Sequence, residues 1–419
     1  MLSNIFWAIL GGGIGQGLNM ISGWISIRLL GQEAFGKYGI VTNTVGTFGI
    51  LAGLGIGVMS TKYIAQYRDI DAERTGRIIG FSIAISLISG FLISSILALF
   101  SKPLANNLLN TANLILVLRI GCVLLFFETL NGVLLGIISG FEGFKQISLI
   151  LLLRGIIGIP LMYFFIIKFG IEGALVSKVT VSLLAYITSC YFVENILKRK
   201  SIIISYKFNV TESLHLLNFS VPSLLAQSLN IFIFWIVNLM MINLRGGYTQ
   251  MAIYNVAYQF QTIITFISGS INTSILPLLS NLLGKKTYQT FIKVIRLNIF
   301  VSGSIAFVIA IPFIIFAKSI MGIYGEEYIN SFPVLICISI TSVLMTTNSV
   351  IGNSFISSGK MWWGFVMNLI WGITVIILAY FLVKDGAWGL GLIFLISYTL
   401  HLLWQSIIFW KLILPKFSR

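Results

Sequence analysis

The sequence predicts an all-α integral membrane protein with twelve transmembrane helices in two six-helix lobes around a central cavity. Its 419 residues are 57% hydrophobic and only 9% charged, and the mean hydropathy is +0.98. Soluble domains carry about 25% charged residues, because a globule needs a hydrated surface. Most of this surface must instead face lipid. The apolar runs are unbroken rather than alternating, which indicates helices and not the strands of a membrane barrel.

The twelve predicted spans follow from stretches of about 20 mainly apolar residues, the length that crosses a bilayer as a helix. Those of the first half are Ile5–Leu29, Tyr38–Ser60, Ile78–Phe100, Leu114–Ser139, Ile147–Ile167 and Gly173–Val193. Those of the second half are Leu214–Asn243, Ile253–Ser280, Phe291–Ala317, Phe332–Ile356, Trp362–Val383 and Trp388–Leu412. Span one has no Lys or Arg before it and is long for a signal peptide, so we expect it to be retained.

The distribution of basic residues predicts the orientation. Most of the 27 Lys and Arg residues lie in loops that a cytoplasmic N-terminus would place inside the cell. Because short loops rich in Lys and Arg stay in the cytoplasm, we expect both termini there. The net charge of +15 mainly reflects this bias. Since the charges are scattered over loops between spans, nucleic-acid binding is not expected.

A polar connection near the midpoint divides the chain. It carries Lys198-Arg199-Lys200 and is the longest polar stretch between spans. We predict an N-terminal lobe over 1–197, a cytoplasmic linker over 198–213 and a C-terminal lobe over 214–419.

The two halves also share a short sequence pattern. Spans one and seven are each followed by a Gly that precedes a Tyr by seven residues, Gly31 with Tyr38 and Gly247 with Tyr254. Six spans in each half would make the repeats parallel, as in transporters that carry their substrate between two six-helix lobes.

Four ionisable residues lie within first-half spans: Arg119, Glu128, Arg154 and Lys178. A charge inside a span costs about 2.5–3.5 kcal/mol on insertion scales, so such residues tend to be functional or paired. We predict that the cations bind substrate in the cavity. The alternatives are that each cation snorkels to an interface and that Glu128 neutralises Arg119. Glu128 is also the candidate for coupling a proton or cation.

Amide side chains recur at helical spacing on three spans. A lipid-facing helix would not carry them, because an unsatisfied polar group in hydrocarbon costs several kcal/mol. They predict a water-accessible cavity, with helix–helix hydrogen bonding as the alternative. The candidate substrate-binding amides are Gln16, Asn19, Gln227, Asn238, Asn255 and Gln259.

Small and isolated polar residues favour packing roles. Span two carries a stripe of Gly46, Gly49, Gly53 and Gly57, and such stripes let helices approach closely. We therefore predict packing for this stripe. We also predict that His401, in the last span, is a packing residue with its hydrogen bonds satisfied.

The sequence lacks the common signatures of catalysis. It has no P-loop, no His-Glu-x-x-His and no Gly-x-Ser-x-Gly. Cys122, Cys190 and Cys337 lie in apolar runs without zinc or disulfide spacing. We expect no enzyme activity, no metal and no cofactor.

Several segments together resemble a known family. They are Arg28-Leu-Leu-Gly-Gln-Glu-Ala-Phe-Gly-Lys-Tyr38, Leu54-Gly55 before Thr61-Lys62-Tyr63-Ile64-Ala65, Phe219-Ser-Val-Pro222, and Pro277-Leu-Leu-Ser280. With them the chain resembles Wzx-type polysaccharide flippases, in the superfamily (MOP) that also holds multidrug (MATE) antiporters and the lipid II flippase.

The resemblance implies alternating access between two lobes. It further implies an undecaprenyl-pyrophosphate-linked oligosaccharide, an O-antigen or capsule repeat unit, moved from the cytoplasmic to the outer leaflet of the bacterial inner membrane. Arg28 would be a pyrophosphate ligand, and a glycan polymerase and chain-length regulator would be partners alongside the lipid bilayer. Two other functions remain open. A drug or cation antiporter would require Glu128, whereas a glycan polymerase or ligase would need a large external loop that this sequence lacks.

Overall fold

The computed structural model describes residues 2–207, 228–284, 287–358 and 360–412. Within these residues the secondary structure consists of helices joined by short turns, which confirms the all-α prediction. The chain groups into two compact units, unit 1 over residues 1–235 and unit 2 over residues 236–419. The predicted lobe boundaries at 197 and 214 stay a prediction.

Six helices form the main part of unit 1. They are α1 (Leu2–Leu30), α2 (Gln32–Gly53), α3 (Ile56–Tyr67), α4 (Ala72–Leu99), α5 (Leu114–Gly140) and α6 (Phe144–Lys200). Helix α6 runs for 57 residues and is interrupted at Gly170, whose φ of 56° and ψ of −130° are not helical. Its two segments, 144–169 and 171–200, correspond to predicted spans five and six.

Predicted span two is not one continuous helix. It is broken between α2 and α3 at Leu54 and Gly55, both left-handed with φ of 46° and 67°. The two helices differ in direction by 42°. A non-glycine residue in this conformation costs on the order of 1–3 kcal/mol and persists only where its surroundings fix it. Apolar composition predicted the span but not this break.

Glycines bring the helices of unit 1 into close contact. A Cβ on Gly11 of α1 would collide with Ser148 of α6, and one on Gly136 of α5 would collide with the carbonyl of Gly57 in α3. Helix pairs in membranes associate through such small residues, because lipid offers no hydrophobic drive to bring them together. These contacts fix α1 against α6 and α3 against α5, on either side of the cavity described below.

One end of unit 1 is held by ion pairs. Arg68, after α3, donates to the carbonyl of Gly140 at 2.8 Å and pairs with Glu142. Lys200, at the end of α6, pairs with Asp69 at 2.8 Å, and this hydrogen bond is the main cause that lowers the pKa of Asp69. The ends of α3, α5 and α6 therefore meet at the same face.

The segment that follows α6 packs onto α4. Residues 202–207 run without regular secondary structure, Ile202 is buried, and the Ser205 amide donates to the Gly76 carbonyl at 3.2 Å. A Cβ on Gly76 or Gly80 would collide with the carbonyls of this segment. The first part of the predicted linker is thus fixed to unit 1.

Unit 2 contains most of the remaining helices. Helix α7 (Ser228–Ile242) begins in unit 1, and it is followed by α8 (Gly247–Gly284), α9 (Tyr288–Ile315), α10 (Ala317–Tyr324), α11 (Phe332–Ser357), α12 (Met361–Leu382) and α13 (Gly386–Leu412). Helix α11 packs against α8, α9 and α13 and forms the centre of this unit.

His401 on α13 lies buried among aromatic rings. The rings of Trp371, Tyr398 and Trp404 have centroids 6.4, 6.4 and 5.7 Å from its own. This environment agrees with the predicted packing role. Neither ring nitrogen of His401 has a hydrogen-bond partner among the described residues, so the expectation that its hydrogen bonds are satisfied is not met there. The other histidine of the sequence, His215, lies outside the described residues.

The described helices identify a multi-pass membrane protein. Six are long and apolar enough to cross a bilayer, or seven if α2 and α3 together form one span. Two of the six cover 57 and 50 residues, more than the roughly 20 that one crossing needs. They contain the interruptions at Gly170 and at Gly386, whose φ is 66°. The exact number of twelve stays a prediction.

Candidate functional site

A cavity of about 620 Å³ lies inside unit 1. Helices α1, α2, α3, α5 and α6 all contribute to its wall. Its polar lining residues are Asn19, Ser22, Thr42, Glu128, Thr129, Arg154, Ser177 and Lys178. Four of the eleven predicted site residues, Asn19, Glu128, Arg154 and Lys178, therefore meet in one cavity.

Glu128 and Arg154 form an ion pair across the cavity. Both terminal nitrogens of the guanidinium donate to the same oxygen, Glu128 Oε2, at 3.3 Å. These distances are long for charge-assisted hydrogen bonds, which are usually about 2.7–2.9 Å. The Glu128 side chain remains 44% exposed and that of Arg154 20%. Glu128 pairs with Arg154 and not with Arg119, so the predicted neutralisation of Arg119 is wrong.

Lys178 adds a second cation. Its ammonium lies 5.0 Å from the centroid of the buried Tyr38 ring, where the ring face attracts a positive charge. The Glu128 carboxylate also acts on it electrostatically. With two cations and one carboxylate among the lining residues, the cavity wall carries a net charge of about +1 at neutral pH.

The Glu128–Arg154 pair lies well inside its two helices. Arg154 follows the start of α6 at Phe144 by ten residues, which is about 15 Å of helix. Glu128 precedes the end of α5 at Gly140 by twelve residues, or about 18 Å. Those two helix ends belong to the same face, and half of a hydrocarbon core is about 15 Å. Charged residues this far inside apolar helices are rare, and they tend to be paired or functional.

The glycine stripe of predicted span two is divided between two roles. Gly57 packs closely against α5, as predicted. A Cβ on Gly46 or Gly53 would meet no atom of the described residues within 4 Å, and both residues line the cavity. The packing prediction is wrong for these two, because their missing side chains widen the cavity and expose helix backbone to it.

Three other predicted residues of unit 1 do not line this cavity among the described residues. Gln16 is half-buried on α1, and Arg28 is exposed at the end of the same helix. Arg119 is exposed near the start of α5, where its Nε donates to Ser101 Oγ at 3.3 Å. Arg119 thus adopts the interfacial alternative, anchored to the turn after α4.

Three of the four predicted amides of the second half, Asn238, Asn255 and Gln259, belong to unit 2. Asn238 is fully buried, and neither of its amide atoms has a hydrogen-bond partner among the described residues. Within the same part of the chain, Asn255 Nδ2 and Gln259 Oε1 also lack partners. Their predicted substrate-binding role stays a prediction, and Gln227 lies outside the described residues.

Sequence reasoning missed Ser177. It is fully buried, and its hydroxyl has no partner among the described residues although it lines the cavity. Its position one residue before Lys178 was the available signal. Serine is common in membrane helices, where it usually bonds to its own helix backbone, so residue type alone did not distinguish it. No group of three or more His, Cys, Asp or Glu in the described residues is placed to hold a metal ion.

A comparison with family models matches residues 1–283 to the model described as "Polysaccharide biosynthesis protein". The chain belongs to this polysaccharide biosynthesis protein family. A second model, described as MatE, matches residues 222–381. Together the two matches confirm the resemblance to polysaccharide flippases of the MOP superfamily.

Curated relatives of this family member cover only part of it. The EPS I polysaccharide export inner membrane protein EpsE of Ralstonia solanacearum is 24% identical over 191 residues, 45% of this chain and 44% of the relative. The lipid III flippase of Escherichia coli (strain K12) is 25% identical over 190 residues, 45% of each chain. The chain thus matches less than half the length of these relatives.

Solved structures share the fold of this family member over nearly its whole length. A multidrug resistance MATE family transporter in an inward-facing conformation has a TM-score of 0.77 at 17% identity, covering 96% of this chain and 97% of its own. A MOP superfamily transporter from Pyrococcus furiosus, reported for the reverse polarity of its binding pocket, has a TM-score of 0.72 at 19% identity, covering 96% and 95%. At these identities the likeness establishes a MATE-like fold and nothing further.

Proposed function

We propose that this protein is a flippase for an undecaprenyl-pyrophosphate-linked oligosaccharide, an O-antigen or capsule repeat unit. It would act in the bacterial inner membrane with both termini in the cytoplasm, as a transporter and not an enzyme. Twelve helices in two parallel six-helix lobes would alternate access to the two leaflets. A glycan polymerase and a chain-length regulator would receive the product.

The observation that carries this proposal is the net positive cavity of unit 1, with the Glu128–Arg154 pair well inside its helices. A lipid-linked pyrophosphate has a compact anionic head that cannot enter hydrocarbon without large desolvation cost. Arg154 and Lys178 would replace the water around that anion, since guanidinium and ammonium groups bind phosphate by charge-assisted hydrogen bonds. The hydroxyls and Asn19 would contact the adjoining polar glycan, while the polyprenyl tail stays in lipid.

Family membership and relatives named for polysaccharide export and lipid III flipping support the same substrate class. These relatives match over less than half of their length. The proposed substrate therefore depends on two kinds of support, the chemistry of the cavity and the family to which the chain belongs.

Replacement of the cavity cations tests the proposal. We expect Arg154→Gln and Lys178→Gln each to lower surface glycan at least about tenfold in a host that depends on this protein, since a lost charged hydrogen bond in a desolvated site costs about 1.5–3 kcal/mol. The measurement is glycan on the cell surface, with membrane abundance of each variant determined by immunoblot.

Arg119→Gln is the matched control, because Arg119 is a cation of the same predicted class that lies outside the cavity. It should leave export near the wild-type level. Normal glycan from a well-expressed Arg154→Gln, Lys178→Gln double variant would contradict the proposal.

The second candidate is a small-molecule or drug–cation antiporter. Glu128 favours it, as a carboxylate 44% exposed within the cavity, and so does the MATE-like fold. The two cations beside Glu128 argue against a cationic cargo. Drug resistance that disappears with Glu128→Gln, combined with unchanged surface glycan, would favour this candidate.

A further inference from the structure

Unit 2 contains a row of buried polar groups on one face of α13. Ser397, His401 and Gln405 follow one another at intervals of four residues, so they lie on the same side of the helix. All three are buried. Ser397 Oγ, both ring nitrogens of His401 and Gln405 Oε1 have no hydrogen-bond partner among the described residues. Because an unpaired polar group inside a membrane protein is costly, this face of α13 requires partners.

Helix α11 places an amide beside the same face. The amide nitrogen of Asn348 donates to a carbonyl of its own helix at 3.0 Å and to the Tyr398 carbonyl of α13 at 3.2 Å. Both donors are therefore used, and Asn348 Oδ1 is an acceptor without a partner in the described part of the chain. Tyr398 lies three residues before His401, so the amide lies at the turn that carries the imidazole. One turn further along α11, a Cβ on Gly352 would lie 3.7 Å from Gln405 Nε2.

Aromatic rings surround the imidazole of His401. The ring of Trp404 is centred 5.7 Å away, and those of Trp371 and Tyr398 are each centred 6.4 Å away. All three lie at angles of 23–34° to the imidazole, so they present their faces and not their edges. The face of a tryptophan or tyrosine ring attracts a cation at about 6 Å. This surrounding therefore stabilises a positively charged imidazole.

The unpartnered groups of this region include donors as well as acceptors. The indole N–H groups of Trp371 and Trp404 have no partner within the described ranges, and they can only donate. A metal cation cannot use such donors. Water can bond to donors and acceptors alike, and buried waters typically make about three hydrogen bonds to groups of this kind. The chemistry of the region therefore fits water and a proton better than a metal ion.

The helices packed against α13 place no charged side chain beside His401. Helices α8, α11 and α12 contain no Asp, Glu, Lys or Arg. On α13 itself Lys411 lies in the last turn, and Lys384 and Asp385 precede the first. Arg296 of α9 lies over the aromatic ring next to Lys411. These charges are nine or more residues along α13 from the imidazole.

The other titratable groups near this face keep one charge state near neutral pH. Tyr398 adjoins His401, and Tyr254 and Tyr258 of α8 interact electrostatically with Tyr398. A tyrosine hydroxyl ionises near pH 10. Cys337 of α11 lies beside the second turn of α13, far from the imidazole. Within this region of unit 2, His401 is therefore the side chain whose charge changes near neutral pH.

We propose that His401 is a proton-binding site in the interior of unit 2, with Asn348 and Gln405 as acceptors for the protonated ring. The proton comes from hydronium, bonds to the lone pair of the unprotonated ring nitrogen and leaves water behind. The ring then carries a charge of +1 and donates from both nitrogens, directly or through water, to the two amide oxygens. The inference concerns unit 2 alone and does not depend on the proposed cargo, so failure of either leaves the other standing.

The chain has two histidines, which makes a direct test practical. In the full-length His215→Gln protein, labelled with carbon-13 at histidine Cε1 and held in detergent, His401 gives a single NMR signal whose chemical shift reports the charge of the ring. We expect this signal to move between about pH 8.5 and about pH 4.5, with a midpoint within about one unit of the ordinary histidine pKa of 6.5. If His215→Gln does not fold, the difference between the spectra of the wild type and His401→Gln identifies the same signal.

Loss of an acceptor tests the site itself. Asn348→Leu and Gln405→Leu each remove one amide oxygen, and each should lower the midpoint by about one pH unit, a tenfold loss of proton affinity. Asn243→Leu is the matched control, because this amide is exposed just after α7 and bonds to the Leu239 carbonyl of that helix. It should leave the midpoint unchanged.

Two results would overturn the proton site. One is a His401 signal that stays constant over the whole pH range in folded protein, as expected for an imidazole in dry packing. The other is a midpoint that is the same in the wild type, Asn348→Leu and Gln405→Leu, because the ring would then gain its proton without these acceptors. If one of the two leucine variants does not fold, the other decides.

Discussion

At the scale of single residues, Glu128 functions as an internal counterion for the cavity. Its carboxylate accepts from both terminal nitrogens of Arg154 through one oxygen at 3.3 Å and keeps 44% of its side chain exposed. A buried cation without a partner would cost several kcal/mol. The carboxylate lowers that cost, and in the proposed flippase its long hydrogen bonds would be exchanged for those of a phosphate.

This arrangement leads to a prediction for Glu128→Gln. Removal of the carboxylate eliminates its repulsion of an incoming anion, so pyrophosphate should bind about tenfold more tightly, equivalent to about 1.4 kcal/mol. Export should slow, because an anion held more tightly is released more slowly. Isothermal titration and surface-glycan assays measure the two effects. Weaker pyrophosphate binding in this variant would show that Glu128 supports the anion site rather than competing with it.

The residue scale also shows what the sequence could predict. Arg154, Lys178 and Glu128 were identifiable because a charge in an apolar span is costly and therefore rare. Ser177, Gly46 and Gly53 were not, since serine and glycine are frequent in membrane helices for packing reasons. These three residues line the cavity because no described side chain fills the space beside them, and only the three-dimensional arrangement of the helices determines that.

At the scale of helices, close packing of α3 on α5 stabilises the broken span. The contact depends on Gly57 and Gly136, whose backbones touch. Helix α3 is short, and a helix of 12 residues is marginal without tertiary contacts. The position of the break therefore depends on this glycine pair as well as on the backbone conformation of Leu54 and Gly55.

Gly136→Ala should destabilise the protein by about 1–3 kcal/mol, the usual cost of overpacking. Gly132→Ala, one turn earlier on the same helix, is the control, because its Cβ would meet no atom within 4 Å in the part of the chain that the structure describes. It should be neutral or stabilise by up to about 1 kcal/mol through helix propensity. Thermal unfolding in detergent compares the two. Equal unfolding temperatures for the two variants would show that α3 can move away from α5 without loss of stability.

At the scale of helices, hydropathy predicted where the helices lie but not where predicted span two is broken. Apolar runs located the helices, and predicted span four, Leu114–Ser139, differs from α5 by one residue. The same signal treated Tyr38–Ser60 as continuous, because Leu54 and Gly55 are as apolar as their neighbours. Left-handed backbone at Leu54 is imposed by tertiary packing and not by local composition.

At the scale of the whole molecule, the sequence predicted a helical membrane transporter from composition and from its resemblance to a family. The family matches confirm that resemblance. Sidedness depends on the Lys and Arg residues of the loops, which bias the orientation in which the helices insert.

The orientation in the membrane can be measured at two exposed residues that the predicted topology places on opposite sides of the bilayer. Lys102 lies after α4 and Arg199 near the end of α6, and both are exposed. The protein has three native cysteines; Cys122 and Cys337 are buried and Cys190 is half-buried, so each is first replaced by serine or alanine to remove background labelling. With cytoplasmic termini, Lys102→Cys should react with a membrane-impermeant maleimide in intact spheroplasts, and Arg199→Cys only after permeabilisation.

The reverse labelling pattern would mean that the protein has the opposite orientation, with the Arg154 end of the cavity toward the outer leaflet. An inverted protein could not load a lipid-linked glycan from the cytoplasmic leaflet at that end, so this measurement decides the direction of transport that the flippase proposal requires.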